Sequence, residues 1–179
     1  MTDRVGDVTI NCVVGDITRQ DDVEAVVNAA NAELMPGGGV AGAIHRAAGA
    51  GLAEECRPLA PIEPGQAVIT RAHNLPNQHV IHCLGPVYGL DKPAVEKLAS
   101  CYREGLRVAD ENGLIAVAFP ALSTGAFGYP MAEAAEVAMA TVVDVAPTLD
   151  SVRTVRFVLT DDRARAIHEE ALKKALSAS

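Results

Sequence analysis

Residues 114–130 read Leu-Ile-Ala-Val-Ala-Phe-Pro-Ala-Leu-Ser-Thr-Gly-Ala-Phe-Gly-Tyr-Pro, and this stretch indicates the fold class. Residues 114–119 form a continuous apolar run, which is typical of a strand buried on both faces. A glycine-bearing turn at residues 123–128 follows, and Pro130 then opens a helix that is predicted to end near Ala146. A buried strand that leads through a loop into a helix is the repeating unit of α/β proteins.

The same alternation continues on both sides of this stretch. Strands are predicted at residues 8–14, 25–27, 68–69, 80–84 and 152–159. Helices are predicted at residues 40–50, 52–56, 93–112 and 162–176. Because no repeat or linker interrupts the series, we expect one α/β domain over residues 1–179, with a sheet covered by helices on both sides.

Composition and charge exclude several classes of function. Hydrophobic residues make up 49% of the 179 residues, which is enough for a core of its own and argues against disorder. Fifteen Lys and Arg stand against 23 Asp and Glu, so the formal charge of -8 argues against a general affinity for nucleic acid. Aromatic residues are 3% of the chain and Trp is absent, which argues against a surface that stacks single-stranded bases.

Cysteine spacing and hydropathy bear on location and metal binding. The four cysteines form no C-x-x-C pair and no spacing typical of zinc ligands, so they are predicted to be reduced core residues, and no metal is expected. The first residues are polar, and no apolar run approaches the ~18 residues that a membrane span requires. We therefore expect a cytoplasmic protein without a membrane partner, and a monomer is favoured although the sequence leaves the oligomeric state open.

Two glycine-bearing loops are candidates for binding an anion. The first covers residues 35–42 and the second residues 123–130, and each lies between a strand and a helix. Glycines let backbone N–H groups approach an anion closely, and the following helix adds its positive end. Neither loop contains Lys or Arg, so neither is a Walker A loop. Two such loops could hold the two phosphates of a diphosphate, although both could also be simple flexible turns.

Polar side chains follow two of the predicted strands. Asn28 and Asn31 flank two alanines directly after a buried strand, where amides can hydrogen-bond the hydroxyls of a ligand or merely cap the turn. Asp16 follows the first predicted strand and could accept a hydrogen bond from an exocyclic amine, or could be a structural turn residue. His45 lies in the first turns after the first glycine loop, where a packed or capping role is the favoured interpretation.

Taken together, these segments resemble the macrodomain family, and in particular its MacroD type. The resemblance covers nearly the whole chain in the right order. It is carried by residues 26–31 (Val-Val-Asn-Ala-Ala-Asn), 37–49 (Gly-Gly-Gly-Val-Ala-Gly-Ala-Ile-His-Arg-Ala-Ala-Gly), 55–56 (Glu-Cys), 65–67 (Gly-Gln-Ala), 81–88 (Ile-His-Cys-Leu-Gly-Pro-Val-Tyr) and 119–130 (Phe-Pro-Ala-Leu-Ser-Thr-Gly-Ala-Phe-Gly-Tyr-Pro). It implies a three-layer α/β/α sandwich with a mixed central sheet that binds ADP-ribose, free or on a modified protein, at the strand ends.

The resemblance also implies roles for individual residues. Asp16 would accept from the adenine amine beside the Ile17 amide, Asn28 and Asn31 would contact the ligand, and Asn31 would also serve catalysis by holding the distal ribose. Phe127 would pack against that ribose. The diphosphate would lie between two loops formed by Gly38, Gly39, Val40, Ala41 and Gly42 and by Ser123, Thr124, Gly125, Ala126, Phe127 and Gly128.

One position departs from the MacroD pattern. Enzymes of that type usually carry an Asp ten positions after the second Asn of N-A-A-N, and this chain has Ala41 there. The favoured interpretation is a hydrolase of mono-ADP-ribosyl esters or of O-acetyl-ADP-ribose that needs no cofactor and uses a water held by a ligand phosphate oxygen. The alternative, favoured by Ala41, is a module that binds ADP-ribose and does no chemistry.

Overall fold

Seven strands form one mixed sheet in the computed structural model, which describes residues 2–179. The strands are β1 Thr2–Val5, β2 Val8–Val14, β3 Ala25–Ala29, β4 Ala67–Arg71, β5 His79–Cys83, β6 Ala116–Phe119 and β7 Thr154–Leu159. The α-helices are α1 Gly39–Ala48, α2 Ala50–Cys56, α3 Ala94–Glu111, α4 Met131–Val145 and α5 Asp162–Ala178.

The strand order across the sheet is β1-β2-β7-β6-β3-β5-β4. The five inner strands pair in parallel, while β1 and β4 add antiparallel to the two edges. Parallel strands that are joined by helices end at the same edge of a sheet. The segments that follow β2, β3, β5, β6 and β7 therefore all leave from one edge.

Successive residues of the inner strands face two different hydrophobic clusters. Ala25 and Val27 pack in a cluster with residues of α3, α4 and α5, whereas Val26 packs in a cluster with residues of α1 and α2. This alternation follows from the two-residue period of a strand. It places helices on both faces and confirms the predicted α/β/α sandwich with a mixed sheet.

Several predicted boundaries differ from the structure. The strand β1 was not predicted, because its sequence Thr-Asp-Arg-Val is polar; it forms by pairing with β2 across a turn at Gly6, whose φ is 58°. The strand β6 begins at Ala116 rather than at 114, since Ile115 is 56% exposed and lies outside the sheet. The helix predicted at residues 40–50 ends at Ala48, and Gly49, with a φ of 85°, turns the chain into α2.

The prediction that the four cysteines lie in the core is confirmed. All four cysteines are buried and unpaired with one another. Burial raises the pKa of Cys56 to about 11 and those of Cys12 and Cys101 to about 12, so these thiols stay protonated at neutral pH. Among the helices of residues 2–179, none is long and apolar enough to cross a membrane.

Candidate functional site

The two glycine loops leave neighbouring strands at the same edge of the sheet. The first follows β3 and the second follows β6, and these strands pair in parallel. The first loop leads into α1 on one face of the sheet, and the second leads into α4 on the other face. A crevice forms where the connections of adjacent parallel strands part to opposite faces, and ligands of α/β proteins bind in such crevices.

The first loop is closed by the side chain of Asn31. Its amide nitrogen donates to the Met35 carbonyl at 2.8 Å, and its amide oxygen accepts from the Met35 N–H at 3.0 Å. The Asn31 amide therefore closes the loop, which agrees with the capping role that the sequence offered beside the predicted contact with a ligand. One N–H and one lone pair of this amide remain for a ligand.

Helix α1 starts without any side-chain cap. Gly38 is its N-cap residue, Gly39 has a φ of 57°, and the first turn contains no acidic residue. The N–H groups at the first positions of a helix have no intrahelical acceptor, and the helix dipole makes this end positive. The amides of Gly39, Val40 and Ala41 thus form a site suited to an anion.

Glycine is required at position 42 by a contact inside the protein. A Cβ at Gly42 would clash with the carbonyl oxygen of Gly37 and would lie 3.0 Å from the guanidinium of Arg46. By contrast, a Cβ at Gly38 or Gly39 would meet no atom within 4 Å. The loop therefore packs against α1 at Gly42 and opens outward at Gly38 and Gly39.

The second loop is a tight turn around Ser123. This residue has a left-handed backbone with a φ of 68°, and its carbonyl accepts from the Tyr129 N–H at 2.9 Å. The Gly128 N–H donates to the Gly125 carbonyl at 3.0 Å. Within residues 2–179, the N–H groups of Gly125, Ala126 and Phe127 have no protein acceptor. These three amides form a second set of donors at the crevice.

The Ser123 hydroxyl is buried against Gly85. Ser123 is 7% exposed, its Oγ has no partner among the described residues, and a Cβ at Gly85 would clash with it. The backbone of Ser123 shapes the loop, and Gly85 provides the space for its hydroxyl. The importance of Gly85 was missed by sequence reasoning, because the two residues are 38 positions apart in the sequence.

A shared hydrophobic cluster brings the predicted site residues together. Ile17 is buried in the cluster beneath α1 and α2, and Met35, Val40 and Phe127 pack against it from both loops. The 3₁₀ turn Ile17–Arg19, which follows β2, also contacts α1. The segment after β2 and both glycine loops therefore line one crevice.

Asp16 lies at the exposed end of that crevice. Its carboxylate accepts from the Thr18 N–H at 2.9 Å and from the Thr18 hydroxyl at 2.7 Å. These hydrogen bonds hold the pKa of Asp16 below its usual range, so the side chain is an anion at neutral pH. The structural role expected of a turn Asp is present. The second carboxylate oxygen accepts no hydrogen bond from the described residues and lies 3.9 Å from Arg19 Nε in an exposed ion pair.

Asn28 is buried below the first loop, with only 1% of its surface exposed. Its amide nitrogen donates to His82 Nδ1 at 3.0 Å, on the paired position of β5. His82 Nε2 then donates to the Thr70 hydroxyl at 2.9 Å, since an amide nitrogen can only donate and Nδ1 is therefore the acceptor. The structure thus gives Asn28 a protein partner, and its contact with a ligand stays a prediction.

Two neutral histidines complete this buried polar cluster. Burial and the nearby His45 lower the pKa of His82 to about 3. His45 is 6% exposed, burial lowers its pKa, and neither ring nitrogen has a partner within the described residues. His45 is packed, as predicted. The cluster was missed by sequence reasoning because it depends on the register of β3 against β5.

Ala41 is the third residue of α1 and is buried. Its methyl group neither accepts nor donates a proton, so α1 supplies the site with backbone amides only. Among residues 2–179, no three side chains of the types that bind metals lie close enough together to hold an ion.

The fold and the crevice define a class of protein, the α/β/α sandwich with two glycine loops and their unpaired backbone amides at the strand ends. Residues 27–138 match the family model described as the Macro domain. The chain belongs to the macrodomain family.

Its relatives extend over almost the whole chain. A macro domain-containing protein of Streptomyces coelicolor is 50% identical over 161 residues, which are 87% of this chain and 93% of that protein. A Klebsiella pneumoniae protein named O-acetyl-ADP-ribose deacetylase is 44% identical over 165 residues, 89% of this chain and 94% of the relative.

Solved structures agree with the architecture. The Oceanobacillus iheyensis macrodomain with ADP superposes with a TM-score of 0.94 at 36% identity, covering 100% of this chain and 97% of that one. The Trypanosoma brucei macrodomain in complex with ADP-ribose gives a TM-score of 0.84 at 32% identity, covering 91% of this chain and 68% of the other.

Proposed function

We propose that the protein binds ADP-ribose in this crevice and hydrolyses mono-ADP-ribosyl esters, either on Asp or Glu side chains of proteins or in O-acetyl-ADP-ribose. One observation carries the proposal: two sets of free backbone amides, at the start of α1 and at residues 125–127, lie on loops that leave neighbouring strands. A diphosphate has two anionic groups that two such sets can bind. Backbone donors also suit a chain with a net charge of -8, which offers few cations.

The two ends of the crevice fit the two ends of ADP-ribose. The Asp16 carboxylate is available to accept from the adenine amine, and the Ile17 amide lies beside it. Phe127 would pack against the distal ribose from the second loop, and the remaining hydrogen-bonding positions of Asn31 would hold its hydroxyls. The ADP and ADP-ribose named for the two solved macrodomains support this ligand class.

Hydrolysis would use water and the ligand's own phosphate. In a protein ester, the water oxygen adds to the anomeric carbon, the bond from that carbon to the ester oxygen breaks, and the side chain leaves as a carboxylate. The proton released from the water passes through the phosphate oxygen to solvent. Holding the reactants in this geometry can supply several powers of ten in rate without a protein base. The name of the Klebsiella relative supports a hydrolase.

The second candidate is a module that binds ADP-ribose and does no chemistry. It is favoured by Ala41, because no carboxylate stands at the position where MacroD-type enzymes usually carry one. Both candidates need the same crevice, so only turnover separates them.

The test is to incubate the pure protein with a glutamate-linked mono-ADP-ribosylated protein and to measure released ADP-ribose, with and without a chelator. We expect release that the chelator does not change. Calorimetry on the same protein should give a micromolar dissociation constant for ADP-ribose, on the order of -8 kcal/mol, and much weaker binding of AMP. Binding without release would identify the non-catalytic module, and equal affinities for AMP and ADP-ribose would contradict the two-loop site. Loss of activity that zinc or magnesium restores would contradict a metal-independent reaction.

A further inference from the structure

The middle of helix α3 is bonded to the loops that lie at the edge of the crevice. Three consecutive residues each reach a different segment. The Ser100 hydroxyl donates to the Gly65 carbonyl at 2.8 Å, and the Cys101 thiol donates to the Leu84 carbonyl at 3.0 Å. Tyr102 bonds Pro120 and Leu122, just before the second glycine loop. Side chains of helix α3 therefore hydrogen-bond the segments next to the strand ends where the site lies.

Tyr102 makes two hydrogen bonds to the short segment between β6 and the second glycine loop. Its hydroxyl accepts from the Leu122 N–H at 3.2 Å and donates to the Pro120 carbonyl at 3.5 Å. The ring is 1% exposed and packs against Phe119 and Phe157, with ring centroids 5.2 and 5.9 Å away. Burial raises the pKa of Tyr102, so the hydroxyl keeps its proton.

Leu122 is followed by Ser123, whose backbone is in the left-handed region. A non-glycine residue rarely adopts a positive φ, and this conformation persists only where the surroundings fix it. Tyr102 fixes the chain on both sides of residue 121, and Gly85 makes room for the Ser123 hydroxyl on the other side. The direction of the amides of residues 125–127 depends on this turn.

We propose that Tyr102 is a positioning residue that orients the second glycine loop toward the distal half of ADP-ribose. This inference rests on the proposed function, since the ligand gives the orientation its purpose. Tyr102 is buried on helix α3 beneath the segment that leads into the loop. Its hydroxyl acts only through the backbone of Pro120 and Leu122.

The test is the variant Tyr102→Phe, which keeps the ring packing and removes both hydrogen bonds. It leaves the Leu122 N–H buried without an acceptor, so the dissociation constant for ADP-ribose should rise about three- to tenfold. The dissociation constant for AMP should change less than about twofold, because AMP lacks the distal ribose and the second phosphate of ADP-ribose. Calorimetry with both ligands gives the ratio of affinities, which a general loss of stability would not change.

Thr141→Val is the matched control. Thr141 is also buried, and its hydroxyl donates to the Val137 carbonyl within α4 at 2.7 Å, away from the loop. It should lower the melting temperature as Tyr102→Phe does, and should leave the ratio of affinities unchanged. An unchanged ratio in Tyr102→Phe would show that the tyrosine is only structural.

A second measurement does not depend on a variant that folds. In the ligand-free wild type, amide hydrogen exchange at Leu122 should be slow, since its N–H is held by the Tyr102 hydroxyl, and rapid exchange there would overturn the inference. A wild type that does not bind ADP-ribose would overturn the proposed function and this inference together. A wild type that binds, with Tyr102→Phe of equal affinity, would overturn this inference alone.

Discussion

Single residues at the crevice serve the fold and the proposed ligand at once. Asp16 caps a 3₁₀ turn while one of its oxygens stays available, and Asn31 closes the first loop while part of its amide stays available. A substitution at either position therefore removes a protein contact as well as a ligand contact. Variants that separate the two effects are needed.

Asp16→Ala should weaken ADP-ribose binding by roughly 1–3 kcal/mol, because the adenine amine loses a charged acceptor. Turnover at saturating substrate should change much less, since in the proposed complex Asp16 binds the adenine, at the end of the ligand opposite the reacting carbon. Calorimetry and steady-state kinetics on the same variant check this. Asp16→Asn is the matched control, because its amide oxygen can still cap Thr18 without the charge. A loss of turnover at unchanged affinity would contradict the adenine assignment.

Ala41→Asp should leave hydrolysis unchanged or raise it, because the variant places a carboxylate where MacroD-type enzymes usually carry one.

Asn31→Ala should reduce turnover strongly, since the distal ribose would no longer be held near the attacking water. Release of ADP-ribose and binding must be measured separately, because a new charge beside a diphosphate can weaken binding by repulsion. If only Ala41→Asp releases ADP-ribose, the wild type is a binding module.

At the scale of elements, the crevice depends on how α1 begins. Its amides are free for an anion because Gly38 caps the helix without a side chain, and the loop is held against the helix by close contact of Gly37 with Gly42. Glycine thus occurs in this loop for more than one structural reason. Gly42 is needed for packing inside the protein, while Gly38 leaves open space where the proposed ligand would bind.

Gly42→Ala should therefore destabilise the protein by about 1–3 kcal/mol and weaken ADP-ribose binding, because the new methyl group must displace the Gly37 carbonyl. Urea denaturation and calorimetry measure the two effects. Gly38→Ala is the control for stability, since its Cβ would meet no protein atom within 4 Å and its φ of -86° suits alanine. A stable Gly42→Ala that binds normally would contradict the packing described here.

At the scale of the whole molecule, buried histidines make the stability of the fold depend on pH. His82 has a pKa of about 3 in the folded protein against 6.5 for an unperturbed histidine, and burial also lowers the pKa values of His45 and His168. Between these values the unfolded chain binds protons that the folded protein does not. The free energy of unfolding therefore has its full value, as far as these histidines determine it, above pH 6.5, and it decreases as the pH falls toward 3.

His82→Gln should flatten this dependence. Between pH 6.5 and 5, the slope of the unfolding free energy against pH should fall by up to ~1.4 kcal/mol per pH unit, which corresponds to one proton. Urea denaturation at several pH values gives the slopes for the wild type and the variant. The variant is also expected to be less stable at pH 7, so only the slope tests the assignment. Equal slopes would show that His82 is not the group that titrates.

The sequence by itself determined the class of the fold and the position of the loops. Alternating apolar runs and helical periods predicted an α/β sheet covered by helices on both sides, because the apolar pattern along a segment shows whether one face or two are buried. The mixed sandwich was implied by the resemblance to macrodomains. The glycines of residues 37–42 and 125–128 indicated both loops, since glycine adopts backbone conformations that other residues rarely adopt. The strand β1 was not visible, because a polar edge strand forms through pairing with β2 and has no apolar pattern of its own.

Only the tertiary structure decided which residues meet. The bond from Asn28 to His82 depends on strand register, the contact of Gly85 with Ser123 joins two loops, and Tyr102 reaches Leu122 from helix α3. These partners are 54, 38 and 20 positions apart in the sequence, a separation at which local propensity carries no information. They are brought together by the burial of the whole core, and that is a property of the assembled sheet and helices.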